Sequence, residues 1–238
     1  SYTGNINDLI ASKGSSTFSA ITPMGRQHEN DREATAADLK WLADPAEEPE
    51  PFGDGGTKMA WNTFNVVSIY PNGNPVMSDV NQRWVGDCCA CAVIASMAYL
   101  YPRFVKHIIK DNMDKTYTVT MYDPKGKQIS VGVGGDYFIG NSGDLGALGG
   151  RNKEVTWATI LEKAMIKWNQ IYQGSSNVGG IGTEYVSAIF TGDGESVGFG
   201  ANALIAEDLQ RAVEVSLKQG RLVIGGFTRS GEQVDQNW

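Results

Sequence analysis

Three thiols crowd into four residues of this chain, Cys88, Cys89 and Cys91, and they are its only cysteines. A thiol acts as a nucleophile in its thiolate form, which the start of a helix favours through unpaired N–H groups and aligned peptide dipoles. Gly86-Asp87 reads as a turn and Cys89 to Tyr101 as an apolar helix, so Cys88 stands where the turn enters the helix. Cys89 and Cys91 fall inside the first turn, where side chains face the core. Local chemistry therefore singles out Cys88, set against the plain alternative of an inert buried thiol. The spacing Cys88-x-x-Cys91 is also that of thiol–disulfide exchange proteins. Those proteins carry the motif after a strand near the start of a small domain, with a Gly-Pro or similar pair inside it, and neither feature is present. A zinc site fits worse, since vicinal cysteines do not both ligate comfortably and no histidine or distant cysteine pair completes a tetrahedron. Thiols this close together also staple no loop, unlike a secreted disulfide framework.

Several elements must hold Cys88 in place. The stretch Cys89 to Tyr101 is apolar on all sides and reads as a core helix, ended or broken at Pro102. Phe64 to Tyr70 reads as a short strand. Thr116 to Tyr122 alternates like a half-buried strand and returns through the turn Asp123-Pro-Lys-Gly126 to a second strand, Gln128 to Val133. A glycine-rich loop runs on to Gly150. Trp157, Ile160, Leu161, Ala164, Trp168, Ile171 and Tyr172 recur at helical spacing and predict an amphipathic helix with one face in the core. Residues 174–200 read as loop. Glu207 to Lys218 predicts a second amphipathic helix stopped by Gly220, and Arg221 to Phe227 a buried strand. Before all this, residues 1–56 differ in character. Short helices are expected at Asp8 to Ser12 and at Ala34 to Ala43, the latter with Thr35 as N-cap. The acidic, Pro- and Gly-rich run from Asp44 to Gly56 reads as an exposed linker. We divide the chain into an N-terminal extension, 1–56, serving as a loosely packed linker or as a prosegment over the cleft, and a core, 57–238.

The bulk composition sets outer bounds. The 238 residues suffice for one large domain or two small ones, and 41% hydrophobic with 20% charged residues is globular. A formal net charge of -7 argues against a grip on nucleic acid, which needs a basic surface, and gives no hint of an anionic membrane partner. No apolar run approaches the roughly 20 residues that span a bilayer, and the chain reads as soluble in a compartment it does not specify. Ser1 marks a processed or engineered start.

The flanking residues carry a resemblance. Gln82-Arg-Trp-Val-Gly-Asp-Cys88-Cys-Ala-Cys-Ala is similar to the signature of the calpain-like cysteine proteases, in which a glutamine stands six positions before the nucleophile of Gly-Asp-Cys and an Ala-rich helix follows. Trp157-Ala-Thr-Ile-Leu-Glu-Lys-Ala164 resembles the family's Trp-Ser-Ala-Leu-Leu-Glu-Lys-Ala helix. Gly179-Gly-Ile-Gly-Thr-Glu184 with Phe190-Thr-Gly192 resembles its Gly-Gly…Glu…Phe-Thr-Gly segment. These motifs occur in order, and the likeness runs from about Asp79 to Phe227. It implies an α+β chain with the papain-like fold of the calpain type: a helical lobe around a central nucleophile helix, plus the opening of a β-rich lobe. It implies a cysteine endopeptidase acting on a protein or peptide substrate, with no cofactor required for the chemistry. Cys88 would be the nucleophile, and Gln82 with the Cys88 N–H would donate to the oxyanion of the tetrahedral intermediate. Gly179 and Gly180 would let the substrate backbone approach.

The departures are equally specific. Cys89 stands where the family has tryptophan, with Arg83-Trp84 available to fill the space. A cysteine protease also needs an imidazole to take the thiol proton and protonate the leaving amine. The chain has two histidines, His28 in the extension and His107 after the nucleophile helix, and neither lies in the family's Gly-His-Ala context. Asn237-Trp238 lacks the proline of the family's Asn-Pro-Trp. The histidine and asparagine are therefore expected from a C-terminal segment or second chain, and the 238 residues alone are expected to lack efficient activity. A calpain relative without the base would be a non-catalytic binding module. Calcium is a further ligand suggested by the resemblance, through Asp79, three residues before the glutamine. Val155 stands where the usual carboxylate partner would be, with Glu154 one step away, and an ordinary solvated loop aspartate is the plain alternative.

Overall fold

A computed structural model describes residues 19–21, 31–53, 59–140, 142–192, 196–198 and 204–226. Six helices are described: α1 Ala36–Ala43, α2 Cys88–Leu100, α3 Pro102–Ile108, α4 Trp157–Tyr172, α5 Thr183–Thr191 and α6 Ala206–Lys218. Seven strands accompany them: β1 Ser19–Ile21, β2 Ala60–Thr63, β3 Ile109–Asp111, β4 Tyr117–Tyr122, β5 Gln128–Val133, β6 Asp136–Ile139 and β7 Ser196–Gly198. The largest sheet is antiparallel, in the order β3-β4-β5; β2 pairs with β6 and β1 with β7, also antiparallel. Helices and small antiparallel sheets share one core, an α+β arrangement.

The hairpin follows its sequence closely. Tyr117, Val119 and Met121 of β4 point inward and alternate with half-buried partners. Asp123 accepts bonds from the backbone of Lys125 and Lys127, and Gly126 takes the left-handed conformation that closes the turn. Thr35 caps α1 through a reciprocal pair with Asp38, each side chain receiving the other's backbone N–H. Pro102 opens α3, where its missing N–H is harmless, and α2 and α3 meet at a 112° bend. No single described helix is long and apolar enough to cross a membrane.

Other elements depart from the sequence reading. The strand at this edge is Ala60–Thr63, paired with β6, whereas Phe64 to Tyr70 is irregular; Ser68 bonds the Tyr70 N–H, and Val67 is almost fully exposed. The glycine-rich stretch before Gly150 contains β6, whose Phe138 stacks on Trp61 at 3.9 Å between ring centroids. Residues 174–200 contain α5, whose Val186, Ala188, Ile189 and Phe190 are buried and whose end is marked by left-handed Gly192. The described part of the last strand expected, 221–226, forms no strand, and the Arg221 N–H donates to the Ser216 carbonyl at 2.9 Å instead. Phe227 and the helix expected at Asp8 to Ser12 lie outside the described residues.

The two principal helices exchange the characters expected of them. α2 is not buried on all sides: Ala90, Val93, Ile94, Met97 and Ala98 form one buried stripe, while Tyr99 is exposed. α4 is not one-sided: fourteen of its 16 residues are buried, Glu162, Lys163, Lys167 and Asn169 among them. The described part of the N-terminal extension covers the polar side of α4 and so is not an exposed linker. Lys163 pairs with Glu48 and donates to the Asp136 carbonyl, and Lys167 donates to the carbonyls of Asp44 and Gly132, both at 2.8 Å. Burial pushes Lys167 down to about 8, and it also outweighs the ion pair at Lys163, which is lowered, and at Glu48, which is raised. Trp61 donates to the Pro49 carbonyl, and Gln170 accepts from the Glu50 N–H. The approach is close enough that a Cβ on Gly132 would stand 2.4 Å from the Ala43 carbonyl oxygen.

Candidate active site

α2 begins at Cys88, and its sulfur-bearing side chain is exposed. The residue before it, Asp87, occupies the N-cap position, where aspartate ordinarily accepts from the first-turn N–H groups. Here it makes no such bond. Its carboxylate turns inward instead, buried to 1% exposure, and accepts from the Cys91 thiol at 3.5 Å. The positive end of α2 is therefore left uncapped by a side chain, with its N–H groups beside Cys88.

The three thiols are thus physically different. Burial pushes the Cys91 thiol far up, and the neighbouring Asp87 and Glu162 carboxyls push the same way, so Cys91 stays protonated. Burial likewise raises Cys89, reinforced by Cys88, Glu184 and Asp87. Cys88 alone of the three is fully at the surface.

The chain before Cys88 folds back on itself. The Gln82 side-chain amide donates to the Val85 carbonyl at 2.9 Å, which holds it within the turn that leads to Cys88. An amide nitrogen carries two N–H donors, so one remains for another acceptor. Arg83 donates to the Gly150 carbonyl, and the Trp84 indole lies against Gly140 and Gly146. Val85, buried, anchors the turn beneath.

The distant glycine pair reaches the same turn. The Gly180 N–H donates to the Gly86 carbonyl at 3.2 Å, across 94 residues of sequence, and Asn177 fixes the Gly179 N–H at 2.9 Å. Gly180 has φ +75°, a conformation that side chains rarely adopt, and nothing lies within 4 Å of where a Cβ would stand. One backbone hydrogen bond thus brings the Gly179-Gly180 loop to Gly86, two residues before Cys88. Glu184, in the first turn of α5, reaches Cys89 beside it.

Asp79 is no solvated loop residue. It is 2% exposed, and its carboxylate accepts from the Trp157 indole at 2.7 Å, the Asn72 amide at 2.8 Å and the Val76 N–H at 3.2 Å. Its carbonyl receives the Thr156 hydroxyl. These donors tie the loop to the start of α4. A cation would have to displace them, so the residues around Asp79 do not fit calcium, and no group of three or more His, Cys, Asp or Glu among the described residues could hold a metal.

No described imidazole approaches Cys88. His107 is exposed on α3. α2 is 13 residues long, about 20 Å at 1.5 Å per residue, with Cys88 at one end and His107 beyond the other. The bend of 112° turns α3 a little past the perpendicular, so its seven residues recover only about 4 Å of that length. His28, Asn237 and Trp238 lie outside the described residues. A cavity of about 390 Å³ lies elsewhere, between Asp31–Ala43 and the turn of the β4–β5 hairpin, and shares no lining residue with the loops around Cys88.

The buried Asp87 and Glu162 were missed as site residues in the sequence, where both appeared only as letters of motifs. The signal was faint: Glu162 shares a helical face with Ala158, Met165 and Ile166, three or four positions away, and not with Trp157.

No curated protein matches the chain. The family model described as calpain family cysteine protease matches residues 60–236, well over half of the sequence and inclusive of every residue just described around Cys88. The chain belongs to the calpain family of cysteine proteases.

Proposed function

We propose that this chain carries the nucleophile of a cysteine endopeptidase with the papain-like lobe arrangement of its family. The observation that supports the reading most is the uncapped N-terminus of α2 with an exposed thiol at its first position. In the proposed reaction the Cys88 sulfur attacks a peptide carbonyl and the C–N bond breaks. The amine leaves with a proton, and water then cleaves the thioester to return the thiol. The Cys88 N–H and the second N–H of Gln82 donate to the oxyanion. Gly179 and Gly180, held against Gly86, align the substrate main chain. An imidazole is needed twice, as base and then as acid, and His107 is too distant. We assign it, with its orienting asparagine, to a further segment or a second chain.

A specific observation also favours a second reading: with no described imidazole near Cys88, the fold can serve as a calpain-like module that binds peptide without cleaving it. A disulfide exchange role gains nothing from the geometry, because Cys91 is committed to a buried carboxylate. Treatment with a peptidyl epoxide, followed by intact-mass analysis, distinguishes these. The protease reading expects labelling at Cys88 in the longest natural form, with little on the 238 residues alone, and retention of labelling in Cys91→Ser. Absence of labelling in both forms would leave the binding module.

A further inference from the structure

The mechanism above does not use Asp87 and Glu162, yet they form the most unusual contact in the molecule. Glu162 sits in the middle of α4 at 1% exposure, and Asp87 ends the loop that feeds α2 at the same exposure. Each carboxyl acts directly on the other. Glu162 accepts the Leu148 N–H at 2.9 Å, and Asp87 accepts the Cys91 thiol. The other Asp87 oxygen, Oδ2, is fully buried and has no conventional donor. Two ionised carboxylates cannot share such a place, because each is an acceptor only and neither could donate to the other. One proton between them resolves both facts.

We infer that Glu162 is a positioning residue, which holds a proton between its carboxyl and that of Asp87 and thereby keeps Asp87 turned away from the N-terminus of the nucleophile helix. With Asp87 held inward, the first N–H groups of α2 stay uncapped and remain beside Cys88. The role in positioning rests on Cys88 being the nucleophile; the shared proton does not.

The surroundings are consistent from every side. On α2 itself the pair faces the thiols of Cys91, Cys89 and Cys88; from the loop before α4 comes the Leu148 N–H; from α5, Glu184 acts on Cys89. No lysine, arginine or histidine figures among the groups that act on either carboxyl. Burial raises Asp87 to about 6, and burial together with Asp87 raises Glu162 well above the usual carboxylate range. Both acids are raised relative to the unfolded chain. The stability they contribute is therefore complete below about pH 4 and is lost as pH rises from there through the folded-state titrations, up to about 6 for Asp87 and further for Glu162.

Glu162→Gln tests this in the protein as it stands. Its amide can still donate to Asp87 and its oxygen can still accept from Leu148, but the proton is no longer titratable. Infrared spectroscopy of the wild type at neutral pH should show the carbonyl band of a buried protonated carboxyl, and the variant should lack it. The thermal midpoint of the wild type should fall relative to the variant by about 3 to 5 °C per pH unit over the window in which the unfolded chain has lost the proton and the folded protein still holds it. Alkylation at Cys88 should proceed equally in both proteins while the wild type still shows its carboxyl band, and several-fold faster in the variant at alkaline pH once that band has disappeared and the wild type carries two carboxylates beneath α2. If Glu162→Gln does not fold, Asp87→Asn provides the reciprocal variant, with the amide donating to an ionised Glu162, and the same band should vanish. A neutral-pH spectrum without that band, or a wild-type-minus-variant midpoint difference that is flat with pH, would overturn the shared proton. Equal Cys88 alkylation at a pH where the band has disappeared would overturn the positioning role while leaving the shared proton in place. Absence of any peptide turnover in longer forms would bear only on the protease reading.

Discussion

The two long helices of the core, α2 and α4, invert what their compositions suggest. α2 contains no charged residue, yet only one stripe of it is buried; α4 carries one glutamate and two lysines and is buried almost all round. Composition measures what a helix can tolerate, not what will be laid against it. α4 is enclosed because each charged group found a partner: Glu162 the Leu148 N–H and Asp87, Lys163 the Glu48 carboxylate, Lys167 two backbone carbonyls. α2 keeps an open side because its business end, at Cys88, must be reached from outside. The apolar helix presents the chemistry, and the charged one supports it from within.

That contrast can be broken by substitution, with the largest effect expected in α4. Trp157 is fully buried and its indole donates to Asp79, so Trp157→Ala should lower unfolding stability by about 4 kcal/mol in a denaturant titration. Lys167→Met removes the charge but strands the Asp44 and Gly132 carbonyls; a loss of about 2 kcal/mol is expected, together with earlier proteolysis of the segment 44–53. Gly132→Ala sets a methyl against the Ala43 carbonyl and should detach the same segment at a cost of about 1 to 3 kcal/mol, visible as faster hydrogen exchange around Trp61. On α2 the corresponding test is mild: Tyr99 is 73% exposed, and Tyr99→Ser should change stability by no more than about 0.5 kcal/mol. A Tyr99 effect as large as that of Lys167 would mean that the open side of α2 is covered after all.

What was legible in the sequence depended on whether local pattern or tertiary partner decided the matter. The hairpin, the Thr35 cap, the stop at Gly220 and the break at Pro102 are local events, and each was readable from residues within a few positions. The order Gln82, Gly-Asp, Cys88 was readable too, and with it the family. The irregular stretch Phe64 to Tyr70 was misread because β-branched and aromatic residues do not make a strand unless another chain segment pairs with them, and β6 pairs with Ala60–Thr63 instead. α5 was hidden by the glycines that frame it, although Gly182 and Gly192 are its boundaries. The Gly180–Gly86 contact and the Asp87–Glu162 pair could not be read at all, since each joins residues more than 70 positions apart with no covarying pattern inside a single chain. Asp79 was read as solvated because a loop aspartate usually is; three donors converge on it, the buried Trp157 indole among them.

The central claim is that the geometry makes Cys88, and neither of its two neighbours, the reactive thiol. Limited alkylation of the native protein with iodoacetamide at neutral pH, followed by peptide mapping, tests it without needing substrate, histidine or a longer chain. The structure predicts that the first equivalent falls on Cys88, with Cys91 unmodified until the protein unfolds. Labelling that begins at Cys91, or that divides evenly among the three thiols, would contradict the account.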